Sequence, residues 1–338
     1  MRGNRHSVLV TGAGGFIGGH LVQALINRGD AVRAVDVKPV QEWEQCSTEA
    51  ENTVRDLKYL QNCREVVDGV DQVYNLAADM GGIGFIENHK AECMLSALIS
   101  IHMLAAAKDA GVERFFYSSS ACVYAADRQD RPDATFLRES DAYPAMPEDG
   151  YGWEKLFSER MARHFREDYQ LGTRVARYHN VYGPYGAWDG GREKAPAAIC
   201  RKVATAKLTG DPRLEIWGDG EQTRSFMYVD DCVDGTIRIA DGDVTDPLNL
   251  GSAELVTINQ LVDVVQEIAG VELRRNYRLD APQGVRGRCS DNTLIQRAFG
   301  WEPSTTLRDG LAVTYPWIEQ QVAAALAAES SVTYRQPA

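Results

Sequence analysis

The sequence predicts an α/β protein built on a Rossmann-type, doubly wound parallel sheet, with a smaller C-terminal α/β region that binds substrate. Three observations carry this expectation. A short β-branched run, "SVLVTG" at 7–12, leads into a glycine turn and then into an amphipathic helical stretch at 16–29. Apolar strands at 31–36, 71–78 and 114–120 alternate with helical patterns at 58–67 and 92–110, the order that produces parallel strands joined by crossover helices. From about residue 184 the composition turns to Gly, Pro, charged and aromatic residues, as in "GPYGAWDGGREKAP", which reads as short strands and shaped loops facing a ligand. The implied division is 1–183 for the dinucleotide-binding domain, with 225–252 returning to it, and 184–224 plus 253–338 for the substrate region. Amphipathic helices at 257–269 and 307–326 close the chain.

Bulk properties narrow the function classes. The 338 residues suffice for a large core. Lys and Arg number 36 against 48 Asp and Glu, a formal net charge of −12, which argues against a nucleic-acid or anionic-membrane surface and requires a local basic cluster for any anionic ligand. Seven cysteines without a C-x-x-C pair, and six histidines without metal spacing, point to no metal site and no disulfide framework. A reducing cytoplasm fits that thiol content. The first residues reach a glycine turn too soon for a signal peptide, and no stretch approaches the roughly 20 apolar residues of a membrane span.

"TGAGGFIG" supplies Gly12, Gly15 and Gly18 between a predicted strand and helix. Glycines allow a sharp turn and close approach to a pyrophosphate, and the helix N-terminus offers unpaired N–H groups. Asp36, at the end of the next strand, can accept from ribose hydroxyls and repels a 2′-phosphate, which favours NAD over NADP despite Lys38 nearby. Phe16 and Ile17 in the turn, Asp56 after a further strand and Ala77 at the end of the 71–78 run are counted with them as cofactor-binding.

"YGWEK" places Tyr151 and Lys155 four apart, on one face of a predicted helix. A phenol is a poor base at neutral pH unless a cation assists it; Lys155 and a nicotinamide ring can do so. Ser120 ends its strand where it can share a substrate hydroxyl with Tyr151. Cys122 stands two residues further on, and continuing the strand would aim its side chain the same way. A free cysteine is most often a small buried hydrophobe. Beside Ser120, and with Lys194 in a glycine-rich loop, the reagent reading is favoured.

Together these features resemble the extended short-chain dehydrogenase/reductase family, whose members mostly act on nucleotide sugars. "NLAADMGGIGF" (75–85), "YHNVYGPYGAWDGGREKAPAA" (178–198) and "WGDGEQTRSF" (217–226) are similar, more narrowly, to its GDP-mannose 3,5-epimerases, from about residue 7 to 320. The resemblance implies tightly bound NAD, a GDP-sugar substrate, Tyr151 and Lys155 as redox pair, and Cys122 and Lys194 as acid/base pair. It also implies substrate contacts at Met80, Gly81, Ser120, Asn180, Glu193, Lys202, Arg224 and Arg286, with Lys202 and Arg286 near the diphosphate. A homodimer through helices at about 92–110 and 151–168 is expected on the same ground. The implied chemistry is transient oxidation at C4, which acidifies the C–H bonds at C3 and C5. A nucleotide-sugar 4-epimerase, dehydratase or decarboxylase would keep the redox pair and change the later steps. A dinucleotide-sensing regulator would need neither Tyr151 nor Lys155.

Overall fold

The computed structural model describes residues 6–133, 136–281 and 284–333. Its first half alternates strand and helix: β1 Ser7–Thr11, α1 Phe16–Arg28, β2 Ala31–Asp36, β3 Glu51–Val54, α2 Leu60–Val67, β4 Gln72–Asn75, α3 Ile83–Asn88, α4 Lys90–Ala110, β5 Arg114–Ser120, α5 Tyr151–Tyr169 and β6 Gly172–Tyr178. The second half runs through β7 Val181–Tyr182, α6 Ala195–Thr209, β8 Arg213–Trp217, β9 Thr223–Ser225, β10 Met227–Tyr228, α7 Val229–Asp241 and β11 Leu248–Leu250. It ends with β12 Leu255–Thr257, α8 Ile258–Ala269, β13 Arg274–Arg278, β14 Gly287–Arg288, α9 Thr293–Phe299 and α10 Leu307–Thr333.

A seven-stranded sheet of order β11-β6-β5-β4-β1-β2-β3 forms the centre, and every neighbouring pair in it is parallel. Val8, Leu9 and Val10 are fully buried, as expected for a strand covered by helices on both faces. The chain leaves β1 toward β2 on one side and later fills β4, β5 and β6 on the other. That reversal opens a crevice at the carboxyl ends of β1 and β4, where such sheets bind ligands. β11, from residues 248–250, pairs with β6 and completes the sheet. Over the crevice lies a layer of small sheets in which β9 joins β12 and β14, and β8 joins β13. Helices α6, α8 and α10 pack behind it.

Two elements differ from their sequence outline. The 71–78 run is a strand only as far as Asn75, because Thr11 Oγ1 accepts from the amides of Leu76 and Ala77, both at 3.1 Å, and draws the backbone out of the ladder. Helix α4, although it carries charges, is long and apolar enough by length and composition to cross a membrane, with a mean hydropathy of 1.3. One face packs on α2 and α5, whereas Met94, Leu95 and Leu98 are exposed.

Helix α5 is fixed to the sheet by a buried ion pair. Arg177 of β6 donates to Glu159 of α5 from Nε (2.9 Å) and Nη2 (2.7 Å). Ser119 Oγ donates to the same carboxylate at 2.5 Å, and Arg177 Nη1 reaches the Glu139 carbonyl at 2.7 Å. Burial alone lowers the affinity of the guanidinium for its proton, but Glu159 outweighs it and the net shift is upward. Removing one partner leaves a charge stranded in the core, so Arg177→Leu is expected to cost about 3–5 kcal/mol, read from the urea midpoint, with Arg177→Lys in between.

Candidate active site

At the dinucleotide end, Gly12 takes φ +72°, and a Cβ there would lie 3.1 Å from the backbone N of Ala77. A Cβ on Gly18 would fall 2.1 Å from the Gly12 carbonyl oxygen, so α1 can start this close to β1 only with glycine at 18. Asp36 is buried and accepts from the Gly14 amide (3.0 Å) and the Lys38 amide (3.0 Å). The Lys38 ammonium donates to the Gly14 carbonyl at 2.9 Å and so braces the turn. Phe16 and Ile17 open α1, half-buried at the crevice. Asp56 lies two residues beyond β3 and accepts from the Lys58 amide at 3.0 Å. At the end of β4 the buried Asn75 Nδ2 has no hydrogen-bond partner among the described residues. A cradle that any Cβ would fill, with an unspent amide donor at the crossover, fits a dinucleotide.

Tyr151 and Lys155 occupy the first turns of α5. A Cβ on Gly152 would lie 2.3 Å from the Cys122 carbonyl oxygen, so the helix seats directly on the backbone after β5. The buried Lys155 ammonium donates to the Ser118 carbonyl at 3.1 Å and lies 5.4 Å from the Tyr151 ring centroid. Burial first, then Cys122 and Glu154, hold the Tyr151 phenol well above its ordinary value, with Ser120 acting in the opposite direction. The assistance expected of Lys155 is therefore not what dominates the phenol in the protein alone.

Cys122 reaches the same cavity by another route than strand alternation. β5 ends at Ser120, and Cys122 sits in a 3₁₀ turn, Ala121–Val123, that the Ser120 hydroxyl caps by accepting from the Cys122 amide at 3.2 Å. The expectation from the two-residue period is corrected: the turn, not the pleat, aims the thiol. The cavity, about 280 Å³, is lined by Met80, Gly81, Ser120, Cys122, Tyr151, Asn180, Glu193, Lys194, Lys202 and Arg224. Lys194 enters it from the residue preceding α6. Burial lowers the pKa of its amine, with Cys122 and Cys232 acting in the opposite direction. Asn180 adopts φ 41° and donates to the Ser225 carbonyl at 3.0 Å. One carboxylate oxygen of Glu193 accepts from Arg201 at 2.9 Å, while the other is buried without a partner among the described residues.

Arg288 is the residue the sequence reading missed. On β14, it donates from Nε to Gln129 at 2.6 Å, pairs with Glu148, and points Nη1 at the Cys122 sulfur, 3.9 Å away. Arg286, two residues earlier, is not among the cavity-lining residues. It forms a two-pronged pair with Asp219 at 3.0 and 3.1 Å. No local signal marks Arg288, because its partners Cys122 and Glu148 are far away in the chain.

The far end of the cavity is cationic and aromatic. Lys202 donates to the Glu215 carbonyl at 3.0 Å and lies 5.4 Å from the Trp217 ring centroid; burial lowers its pKa. Arg224 donates to the Thr223 carbonyl at 2.7 Å, and burial, aided by repulsion from Arg286, pushes it down to about 10. Among the described residues, no cluster of three His, Cys, Asp or Glu is arranged to hold a metal.

A glycine cradle at the sheet crossover, a Tyr-x-x-x-Lys helix and a polar cavity beside them define a nicotinamide-dependent enzyme. The chain belongs to the NAD dependent epimerase/dehydratase family, which matches it over residues 8–251. It is similar to GDP-mannose 3,5-epimerase 1 of Oryza sativa subsp. japonica, at 46% identity over 316 residues, covering 93% of this chain and 82% of that protein. Among solved structures it resembles a UDP-glucose 4-epimerase from Thermotoga maritima (TM-score 0.84, 26% identity, 94% of this chain and 99% of that one). It also resembles MoeE5 in complex with UDP-glucose and NAD (TM-score 0.78, 31% identity, 94% and 99%). NAD is the cofactor of this family. Gly18→Ala is expected to abolish NAD retention, measured as nicotinamide released on denaturing the purified protein, while the fold persists by circular dichroism.

Proposed function

We propose that the protein is a GDP-mannose 3,5-epimerase that converts its substrate to the C3 and C5 diastereomers through a transient 4-keto sugar. The observation that carries this reading is that Cys122 and Lys194 face one cavity with Ser120 and Tyr151. The 46% identity to the rice enzyme supports the same assignment. A simple 4-epimerase, the activity of the Thermotoga neighbour, has no use for an acid/base pair beyond the redox residues.

The turn of Gly12, Gly15 and Gly18 with Asp36 would hold NAD, which would supply the hydride acceptor and donor for C4 and a positive charge that favours the tyrosinate. Tyr151 accepts the C4 hydroxyl proton, with Ser120 orienting that hydroxyl. The resulting carbonyl makes the hydrogens at C3 and C5 acidic. Cys122 removes a proton from one face of the ring, and the Arg288 guanidinium compensates the charge on its sulfur. Lys194 delivers a proton to the opposite face; its burial-lowered pKa suits an amine that must give a proton up. Met80, Gly81, Asn180 and Glu193 hold the hexose. Lys202 and Arg224, which line the cavity, hold the diphosphate, whereas Arg286, expected beside them, is engaged by Asp219 outside that lining.

Proton NMR of protein incubated with GDP-mannose in deuterated water tests the reading. Deuterium at C3 and C5 with new diastereomers is expected; no exchange at either carbon, with NAD bound, overturns it. Cys122→Ser should lose exchange by about 10²–10⁴-fold yet still form reduced nicotinamide.

The protein works as a homodimer in a reducing cytoplasm, where all seven thiols stay free. The exposed Met94, Leu95 and Leu98 of α4 and Trp153 and Phe157 of α5 supply an apolar face suited to two-fold pairing of these helices. Light scattering should give twice the mass of the chain, and Leu95→Glu with Phe157→Glu should halve it.

A further inference from the structure

Beside the redox pair lies a carboxyl group that the reaction above does not use. Glu154 is the residue before Lys155, and its side chain is fully buried. Oε1 accepts from the Tyr117 hydroxyl at 3.2 Å and from Ser158 Oγ at 3.0 Å. Oε2 lies 3.7 Å from the Lys155 ammonium and has no hydrogen bond among the described residues. A buried carboxyl with an unsatisfied oxygen costs stability that an apolar residue would not. The oxygen left without other donors is the one that faces the redox lysine.

The arrangement has an electrostatic effect. Lys155 supplies the positive charge that eases proton loss from Tyr151, and a carboxyl group at this position opposes it. Besides Lys155 and Tyr117, the titratable groups acting on Tyr151 include Cys122 from the turn after β5, Cys93 from α4 and Glu154 on α5 itself. Around Glu154 stand Tyr117 of β5 and Lys155, and Cys122 is flanked by Arg288 with its partner Glu148. Of the acids in this set, Glu154 is the one joined to Lys155.

We propose that Glu154 is a positioning residue of the redox step: it draws the Lys155 ammonium toward itself, opposes its charge, and so sets the pH at which Tyr151 exchanges its proton with the sugar hydroxyl. The inference rests on the reading of Tyr151 and Lys155 as the redox pair. It gives the buried acid a task. A tyrosine kept from ionising too readily returns its proton when C4 is reduced again, so oxidation stays reversible and the keto sugar is not stranded.

The test is the pH dependence of reduced-nicotinamide formation in the first turnover with GDP-mannose. Glu154→Gln removes the opposing charge, so the rising limb is expected to move to lower pH by about one unit. KM should stay within about twofold, and NAD content should be unchanged. Glu154→Asp should bring the limb back toward its original position. A limb that does not move, with loss confined to melting temperature, overturns the proposal. If Glu154→Gln fails to fold, Ser158→Ala takes its place. It removes one donor to the carboxyl but leaves the charge, and must move the limb upward; an unmoved limb again overturns the proposal. Tyr151→Phe separates the two levels of inference: undiminished nicotinamide reduction in that variant would sink the redox pair itself, whatever Glu154 does.

Discussion

The close seating of helix α5 on the backbone of Cys122 is the constraint on which the rest of the site depends. With no side chain at Gly152, the helix can approach a carbonyl that a Cβ would meet at 2.3 Å. That contact brings Tyr151 beside Ser120 and the thiol of Cys122 into one cavity. The buried Arg177–Glu159 pair holds the helix two turns further along. Helix and strand end are thus fixed at two points, and Tyr151, Lys155, Ser120 and Cys122 share one frame. Geometry of this kind matters because misplacement by about 1 Å can cost a factor of about 100 in rate.

Much of the architecture was legible because it is written in local pattern. The β-branched run before Gly12, the acid closing β2 and the four-residue spacing of Tyr151 and Lys155 each involve a few neighbouring residues. The residues that were missed gain their meaning from distant partners. Arg288 meets Cys122 across 166 positions and Glu148 across 140, and nothing near "GVRGR" signals either. Glu154 draws no notice in the sequence, since its burial depends on packing against Tyr117 from β5. Cys122 was assigned to the cavity by an argument from strand alternation, whereas a capped 3₁₀ turn puts it there. A two-residue period describes side chains only while the strand lasts.

Electrostatics runs against the bulk charge. A chain of net charge −12 lines its cavity with Lys194, Lys202, Arg224 and Arg288, and burial lowers the pKa of the first three. Cations held out of water and near one another cost stability. An anionic ligand bound there would relieve that cost and couple its affinity to folding stability. Positive charge is thus gathered in the cavity although the chain as a whole is acidic.

The return of residues 248–250 to the sheet has a consequence for how the chain comes to be folded. Without β11, strand β6 is a bare edge with unpaired amides and carbonyls. A ribosome must therefore emit the whole of the intervening substrate-facing segment before the sheet can be closed. The nucleotide-binding half is not a module that could be cut from the gene at residue 183 and inherited alone. Its last strand is encoded beyond the segment that supplies Lys194 and Arg224.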